Sequence, residues 1–213
     1  MNMITVIGCG PGNPSYLLPA AKEAICNHPF ICGAQRLLGL VDSGSAVRIA
    51  LPSGIIEMMS TIDHLLSRGP TGVLVSGDPS VFSLTRLIKQ HFPGQICEVI
   101  PGIGAGQVAL GRLLLDGNTT TSISLHGRLP SGIPAHPFHG SALYYMGSQD
   151  GYQWLAEWAR HSPNPSKWYW CEDLTLETER ICEVTTSEIG TMTPQSTGQG
   201  LVIIVQTQEG NQQ

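Results

Sequence analysis

The chain has 213 residues, 41% of them hydrophobic and 13% charged, with a formal net charge of -5. That length and apolar content can fill one large core or two smaller ones, and an acidic balance without any basic run excludes a broad nucleic-acid surface while leaving room for local basic pockets. No stretch approaches the roughly 18 consecutive apolar residues of a membrane span. The N-terminus lacks the charged flank and long apolar run of a secretory signal, so a cytoplasmic protein is expected.

In chain order, the run Ile4-Thr5-Val6-Ile7 predicts a buried first strand. It leads straight into "GCGPG", a loop with Gly8, Gly10 and Gly12 around Pro11. A dinucleotide fingerprint needs glycines at the first, third and sixth positions. Counted from Gly8 the sixth is Asn13, and Pro11 stiffens the turn, so a nicotinamide site is not expected. Pro19 suits a first helical turn, with Ala20, Ala21, Ala24 and Ile25 giving that helix an apolar face. "FICG" predicts a second strand, "AQRLLGLV" a helix, "AVRIAL" a strand, and "GIIEMMSTIDHLLS" a helix in which Met58 and Met59 read as core. "TGVLVSGDPSVFSLTRLIKQHF" and "QICEVIPGIGAGQVALGRLLL" each predict strand, loop and helix in turn.

The pattern changes after Leu115. "DGNTTT" is a polar break, and beyond it "SISLHGR", "SALYYMG", "KWYWCEDL", "ERICEVTT" and "GLVIIVQ" read as strands, with one good helix around "YQWLAEWARH". Two domains are expected: residues 1–115, an N-terminal α/β domain with a mostly parallel sheet, and residues 116–213, a C-terminal α/β domain with a mixed sheet. The six cysteines, at 9, 26, 32, 97, 171 and 182, form no C-x-x-C pair and lie mostly in apolar stretches, so buried free thiols are expected and no metal site. His136 and His139 of "HPFH" read as part of a loop, and the Asn118-Thr119-Thr120 acceptor pattern has no meaning in a protein that is not exported.

Three loops in the first half each follow a short apolar strand: "GCGPG", "SGDPS" and "PGIGAGQ". Loops at the carboxyl ends of parallel strands gather along one sheet edge, where ligands bind, so the three suggest one site. Asp78 in the second loop is also good turn chemistry, and could do no more than bond its own loop backbone. Small residues in the third would let a helix lie close to a sheet.

Taken in order, "VIGCGPGNPSYLL", "VSGDPSVF", "VIPGIGAGQVALGRL", "ALYYMG" and "GLVIIVQ" resemble the motif series of the tetrapyrrole (corrin/porphyrin) methyltransferases, and the resemblance covers nearly the whole chain. "CGAQRLL", "ISLHGR" and "WCEDLTLETERI" are similar to the subgroup that methylates carbon 5 of cobalt-precorrin-7 in cobalamin synthesis, in its short stand-alone form. The resemblance implies a two-domain α/β fold with the active site in the cleft between the domains, and S-adenosylmethionine as methyl donor, leaving as S-adenosylhomocysteine, with no protein-bound metal. It also implies a corrinoid substrate and a separate carbon-15 methyltransferase/decarboxylase acting next, while burial of apolar strand faces such as "LVIIV" predicts a homodimer. The alternatives are a same-fold enzyme acting on another corrin position or on the diphthamide precursor, and a non-catalytic nucleotide-binding module.

By the same resemblance, Pro11 closes the first loop, Ser76, Gly77 and Asp78 with Val81 and Phe82 hold the methionine part of the donor, and Gly104 and Ala105 follow. Met146 and the backbone at Gly200 and Leu201 would flank the adenine. Relatives often carry serines where this chain has Gly104 and Ala105, so donor contacts there would be made by main chain. His28 and Pro29 replace the usual alanine-aspartate, and Ser83 the usual glycine. A corrinoid bears many carboxylates, which makes Arg36, Arg112 and Arg128 the candidate substrate-binding cations. Methyl transfer from a sulfonium to carbon requires no nucleophilic side chain, only positioning, exclusion of water and a base to collect a proton. His126 and Glu172 are the candidates for that base.

Overall fold

The computed structural model describes residues 3–40, 44–125, 129–130, 140–147, 149–160, 166–189, 191 and 202–207. The chain divides into two compact units, Met1–Gly104 and Ala105–Gln213.

The first unit holds strands β1 (Ile4–Gly8), β2 (Phe30–Gly33), β3 (Val47–Ala50), β4 (Thr71–Val75) and β5 (Ile96–Ile100). They form one sheet in the order β3-β2-β4-β1-β5, every pairing parallel. Helices α1 (Pro19–Asn27), α2 (Gln35–Leu38), α3 (Ile55–Arg68) and α4 (Thr85–His91) alternate with the strands. Side chains of the central strands alternate between two cores. Val6, Cys32, Val73 and Val75 pack with Ile62 and Leu65 of α3 and Ile88 of α4, while Ile7, Ile31 and Leu74 pack with Ala21 and Ile25 of α1 and Leu37 of α2. A sheet covered on both faces needs apolar residues at consecutive positions, which is why β1 and β4 read as continuous apolar runs. His28 fastens the end of α1 to β1: its Nδ1 donates to the Ala24 carbonyl at 2.7 Å, and its Nε2 lies 3.0 Å from the Thr5 hydroxyl.

The second unit contains α5 (Ala105–Leu113), β6 (Thr120–Leu125), β7 (Ser141–Met146), α6 (Gln149–Arg160), β8 (Ser166–Glu172), β9 (Arg180–Val184), the short α7 (Thr186–Ile189) and β10 (Val202–Thr207). Its sheet runs β6-β7-β10-β8-β9, with β6 parallel to β7 and the other neighbours antiparallel, a mixed sheet as expected. One face is covered by α6, whose Tyr152, Leu155, Ala156 and Ala159 recur at helical spacing against Ala142, Tyr144, Met146, Trp168 and Trp170. Trp158 and Trp168 meet edge to face with centroids 5.3 Å apart.

Chain order makes α5 the continuation of the first β–α series, but it packs in the second unit. A Cβ placed on Gly106 would lie 2.9 Å from Leu143 Cδ1 and would also overlap the Tyr145 hydroxyl, so bare backbone sets the distance of this helix from β7. The polar break after Leu115 marks the end of α5, whereas the division between units falls before it, at Gly104.

The cysteines are only partly as expected. Cys9, Cys32 and Cys171 are buried free thiols, but Cys26 and Cys97 are exposed and Cys182 is half-buried. Cys26 falls on the outer side of α1, and Cys97 lies on β5, an edge strand whose central residues face out. An apolar neighbourhood in sequence does not tell which side of a helix or an edge strand a residue takes. No helix among the described residues is long and apolar enough to cross a membrane.

Candidate functional site

In the first unit, β4, β1 and β5 are neighbours, so the loops that leave their carboxyl ends emerge side by side. They are interlocked. Gly10 and Gly77 exchange two main-chain hydrogen bonds, Gly77 N–H to the Gly10 carbonyl at 2.8 Å and Gly10 N–H to the Gly77 carbonyl at 3.3 Å. Gly77 does this at φ +63°, a conformation that most side chains disfavour. A Cβ on Gly102 would overlap the Gly77 carbonyl oxygen and come within 2.9 Å of the Gly8 carbonyl carbon, so the first and second loops press against the third at that residue. The glycines therefore serve loop-to-loop contact first.

Asp78 does more than close its own turn. One carboxylate oxygen accepts from the Ser80 amide at 2.7 Å and from the Ser80 hydroxyl, and the other accepts from the Gly102 amide at 3.2 Å. Burial would raise the Asp78 pKa, but these bonds outweigh it and hold the carboxyl below its ordinary value. The Gly-Asp-Pro loop is thus tied to the Pro-Gly loop by a charged acceptor. Val81 closes the turn with its N–H on the Asp78 carbonyl at 3.1 Å. Ser83, in place of a glycine, lies beside the start of α4: its hydroxyl accepts from the Thr85 amide at 3.1 Å and donates to the Pro79 carbonyl at 2.5 Å. Phe82 stands 56% exposed at φ +45°, a left-handed conformation uncommon for an aromatic residue and of a kind that clusters at ligand sites. Pro11 is half-buried in the first loop and Gly104 is buried at the end of the third.

Arg36, on α2, donates from Nη2 to the Ser76 hydroxyl, so β2 and β4 deliver this cation and the first residue of the Gly-Asp-Pro loop to one place. Beside them opens a cavity of about 470 Å³ lined by residues of the β2–α2, β3–α3 and β4–α4 connections, Phe82 and Ser83 among them. Neither the cavity nor the β3–α3 turn, Pro52-Ser53-Gly54, was expected. The available signal was "LPSG", which follows a strand just as the three glycine loops do. Cys9 underlies this edge. Burial pushes its thiol up to about 12 against the pull of the Arg36 charge, so it stays protonated and is a packing residue.

The remaining candidates belong to the second unit. Ala105 begins α5, and Met146 is buried at the end of β7 under α6. Glu172, 2% exposed, accepts from Trp170 Nε1 at 3.3 Å and has Arg180 Nη1 4.0 Å away. Arg112 is held by Glu179, Nε to Oε1 at 2.9 Å and Nη2 to Oε2 at 3.4 Å, and Glu179 also accepts from the Thr175 amide at 2.6 Å. This brace spans a turn in which Asp173 and Thr175 both take positive φ. His126, Arg128, Gly200 and Leu201, and with them His136 and His139, lie outside the described residues.

Comparison with known proteins agrees with this architecture. The chain is 33% identical over 129 residues to the cobalt-precorrin-7 C(5)-methyltransferase of Salmonella typhimurium. That match takes in 61% of this chain and 64% of the relative, so a little under two thirds of the relative's length is spanned. Among solved structures, the precorrin-6Y methylase of Archaeoglobus fulgidus superimposes with a TM-score of 0.71 at 24% identity, over 98% of this chain and 99% of that one. The uroporphyrin-III C-methyltransferase of Thermus thermophilus in complex with S-adenosylhomocysteine does so with a TM-score of 0.75 at 18% identity, over 95% and 97%. At these identities the structures speak for the fold. The family model described as Tetrapyrrole (Corrin/Porphyrin) Methylases matches residues 3–190, and the chain belongs to that family.

Proposed function

We propose that the protein is an S-adenosylmethionine-dependent C-methyltransferase that methylates carbon 5 of cobalt-precorrin-7 in cobalamin synthesis. The observation that carries this reading is the interlocked glycine edge of β4, β1 and β5, in a chain similar to a curated cobalt-precorrin-7 C(5)-methyltransferase. The edge fits the donor: it offers main-chain groups and small residues around Gly77 and Gly104, the Ser76 hydroxyl, and the exposed face of Phe82 for an apolar chain.

S-adenosylmethionine, when bound, supplies a methyl group already activated on a sulfonium sulfur. The protein's part is then to hold donor and acceptor in line and to keep water out. In this reading Pro11, Ser76, Gly77, Asp78, Val81, Phe82, Gly104 and Ala105 contact the donor, with Met146, Gly200 and Leu201 toward the adenine. Asp78 acts through position, since its oxygens are engaged by Ser80 and Gly102. Arg36 and Arg128 meet substrate carboxylates, and Arg112, already paired with Glu179, would do so only from within that ion pair. His126 and Glu172 are the candidates to receive the proton that the ring loses. A homodimer and a separate carbon-15 methyltransferase/decarboxylase acting next belong to the same reading.

Calorimetry on chelator-treated protein tests the donor half: S-adenosylmethionine and S-adenosylhomocysteine should bind without metal. Binding that vanishes with chelator and returns with zinc would contradict it.

A further inference from the structure

At the amino end of the first sheet, opposite the edge that carries the glycine loops, Cys97, Thr5 and His28 form a chain of polar contacts that the site described above does not use. The pairing of β1 with β5 slips by one residue: Ile4 lies opposite Ile96 and Thr5 opposite Glu98, so Cys97 is the extra residue of a bulge on the edge strand. A bulge re-aims the side chain it carries. Here the Cys97 S–H donates to the Ile4 carbonyl at 3.3 Å, and its sulfur lies 3.6 Å from the Thr5 hydroxyl. Thr5, 2% exposed, reaches on to His28 Nε2 at 3.0 Å. The Ala24 carbonyl fixes the tautomer, because it can only accept from Nδ1–H at 2.7 Å. In the neutral ring Nε2 is therefore an acceptor, Thr5 donates to it, and the Thr5 oxygen is turned toward the thiol.

Nucleophile, relay, base and a carbonyl that orients the base thus stand in order, the arrangement that activates a thiol by removing its proton. The proton can pass from the sulfur to Thr5 while Thr5 gives its own to Nε2. Afterwards Nε2–H donates to Thr5 and Thr5 donates to the sulfur, so the contacts from sulfur to imidazole survive the transfer. Thr5 is buried, which keeps the route out of bulk water, whereas the thiol at its end is exposed. The Ile4 carbonyl holds the S–H at rest, so the sulfur becomes a nucleophile only as its proton leaves. Cys26 is the other exposed cysteine, but both ring nitrogens of His28 are already engaged, by Ala24 and Thr5.

We propose that Cys97 is a covalent modification site, a thiol oxidised by hydroperoxides, with Thr5 as its relay and His28 as its base. In the step the sulfur attacks one peroxide oxygen, the S–O bond forms and the O–O bond breaks. The sulfur is oxidised to a sulfenic acid and the hydroperoxide is reduced to water or an alcohol. The departing oxygen takes a proton from water, and His28 returns the thiol's proton to solvent. The inference does not depend on the methyltransferase reading.

The test treats the full chain with hydrogen peroxide in the presence of dimedone, which caps sulfenic acids, and follows each cysteine by peptide mass spectrometry. Cys26 in the same chain is the internal reference. Cys97 should be capped at least about tenfold faster than Cys26, the lower end of what a positioned base supplies. Thr5→Val keeps the shape of a strand residue but removes the relay hydroxyl, and should bring Cys97 down to about the Cys26 rate. Thr5→Ser keeps the hydroxyl and should stay within about threefold of wild type. Circular dichroism and thermal melts establish that each variant is folded; if Thr5→Val is not, His28→Gln carries the same expectation, since it removes the base and leaves Thr5 in place. Capping of Cys97 no faster than Cys26 in the wild type, or equal rates in the wild type and in a folded relay or base variant, would overturn the proposal.

Discussion

The Asp78 carboxylate accepts a hydrogen bond from the Gly102 amide at 3.2 Å, joining the loop after β4 to the loop after β5 across the intervening β1. Asp78→Ala leaves the Gly102 and Ser80 amides without that acceptor, and should cost about 1–3 kcal/mol. Asp78→Asn keeps one acceptor oxygen and should cost less. The folded-state pKa of Asp78 is lowered, so its contribution is complete above the unfolded value, roughly 3.9, and is lost as pH falls through the lower folded value. Urea unfolding at pH 7 and again below about pH 4 checks this: the gap between wild type and Asp78→Asn should narrow in acid.

Gly102→Ala places a methyl group on the Gly77 carbonyl oxygen and against the Gly8 backbone, groups that cannot move without parting the loops. A loss of about 1–3 kcal/mol is expected, with weaker binding of S-adenosylhomocysteine. Gly111→Ala is the control. Nothing lies within 4 Å of a Cβ there and the residue is inside α5, so it should gain about 0.5–1 kcal/mol. Thermal melts of the two variants should move in opposite directions.

The pair Arg112–Glu179 joins residues 67 positions apart, and Glu179 also holds the Thr175 amide of a turn with two positive-φ residues. Both side chains remain partly solvated, 44% and 24% exposed, so a double-mutant cycle with alanine should give a coupling of only about 0.5–1 kcal/mol, reduced by salt. Glu179→Ala should be the more damaging single change, because it also frees the Thr175 amide.

Tyr144 is fully buried between Trp154 and Trp158, and among the described residues its hydroxyl has no hydrogen-bond partner. Removing an unpaired buried hydroxyl relieves desolvation and keeps the ring packing, so Tyr144→Phe should be neutral or stabilising by up to about 1–2 kcal/mol. Chemical denaturation measures it; a loss of more than 1 kcal/mol would point to a partner for that oxygen.

Much of the fold was legible because apolar runs and their spacing follow from burial. "FICG" and "TGVLV" mark β2 and β4 to the residue, and the helical spacing in "GIIEMMSTIDHLLS" marks α3 within one residue. Local patterns could not reveal long-range choices. Nothing near Arg112 announces Glu179, nothing near Asp78 announces Gly102, and α5 looks like a continuation of the first unit until Leu143 and Tyr145 appear under Gly106. Arg36 was legible as a candidate cation, but its link to Ser76 depends on β2 lying beside β4, a fact of topology. The four-residue α7 is too short to carry a periodic signal.

The central claim, methyl transfer to carbon 5, is tested most directly by single-turnover reaction of the purified protein with cobalt-precorrin-7 and methyl-¹³C S-adenosylmethionine, with the product read by mass spectrometry and carbon NMR. The account predicts one added methyl group, located at carbon 5, with stoichiometric S-adenosylhomocysteine. A label at another ring carbon, or donor binding without any transfer to the corrinoid, would contradict it.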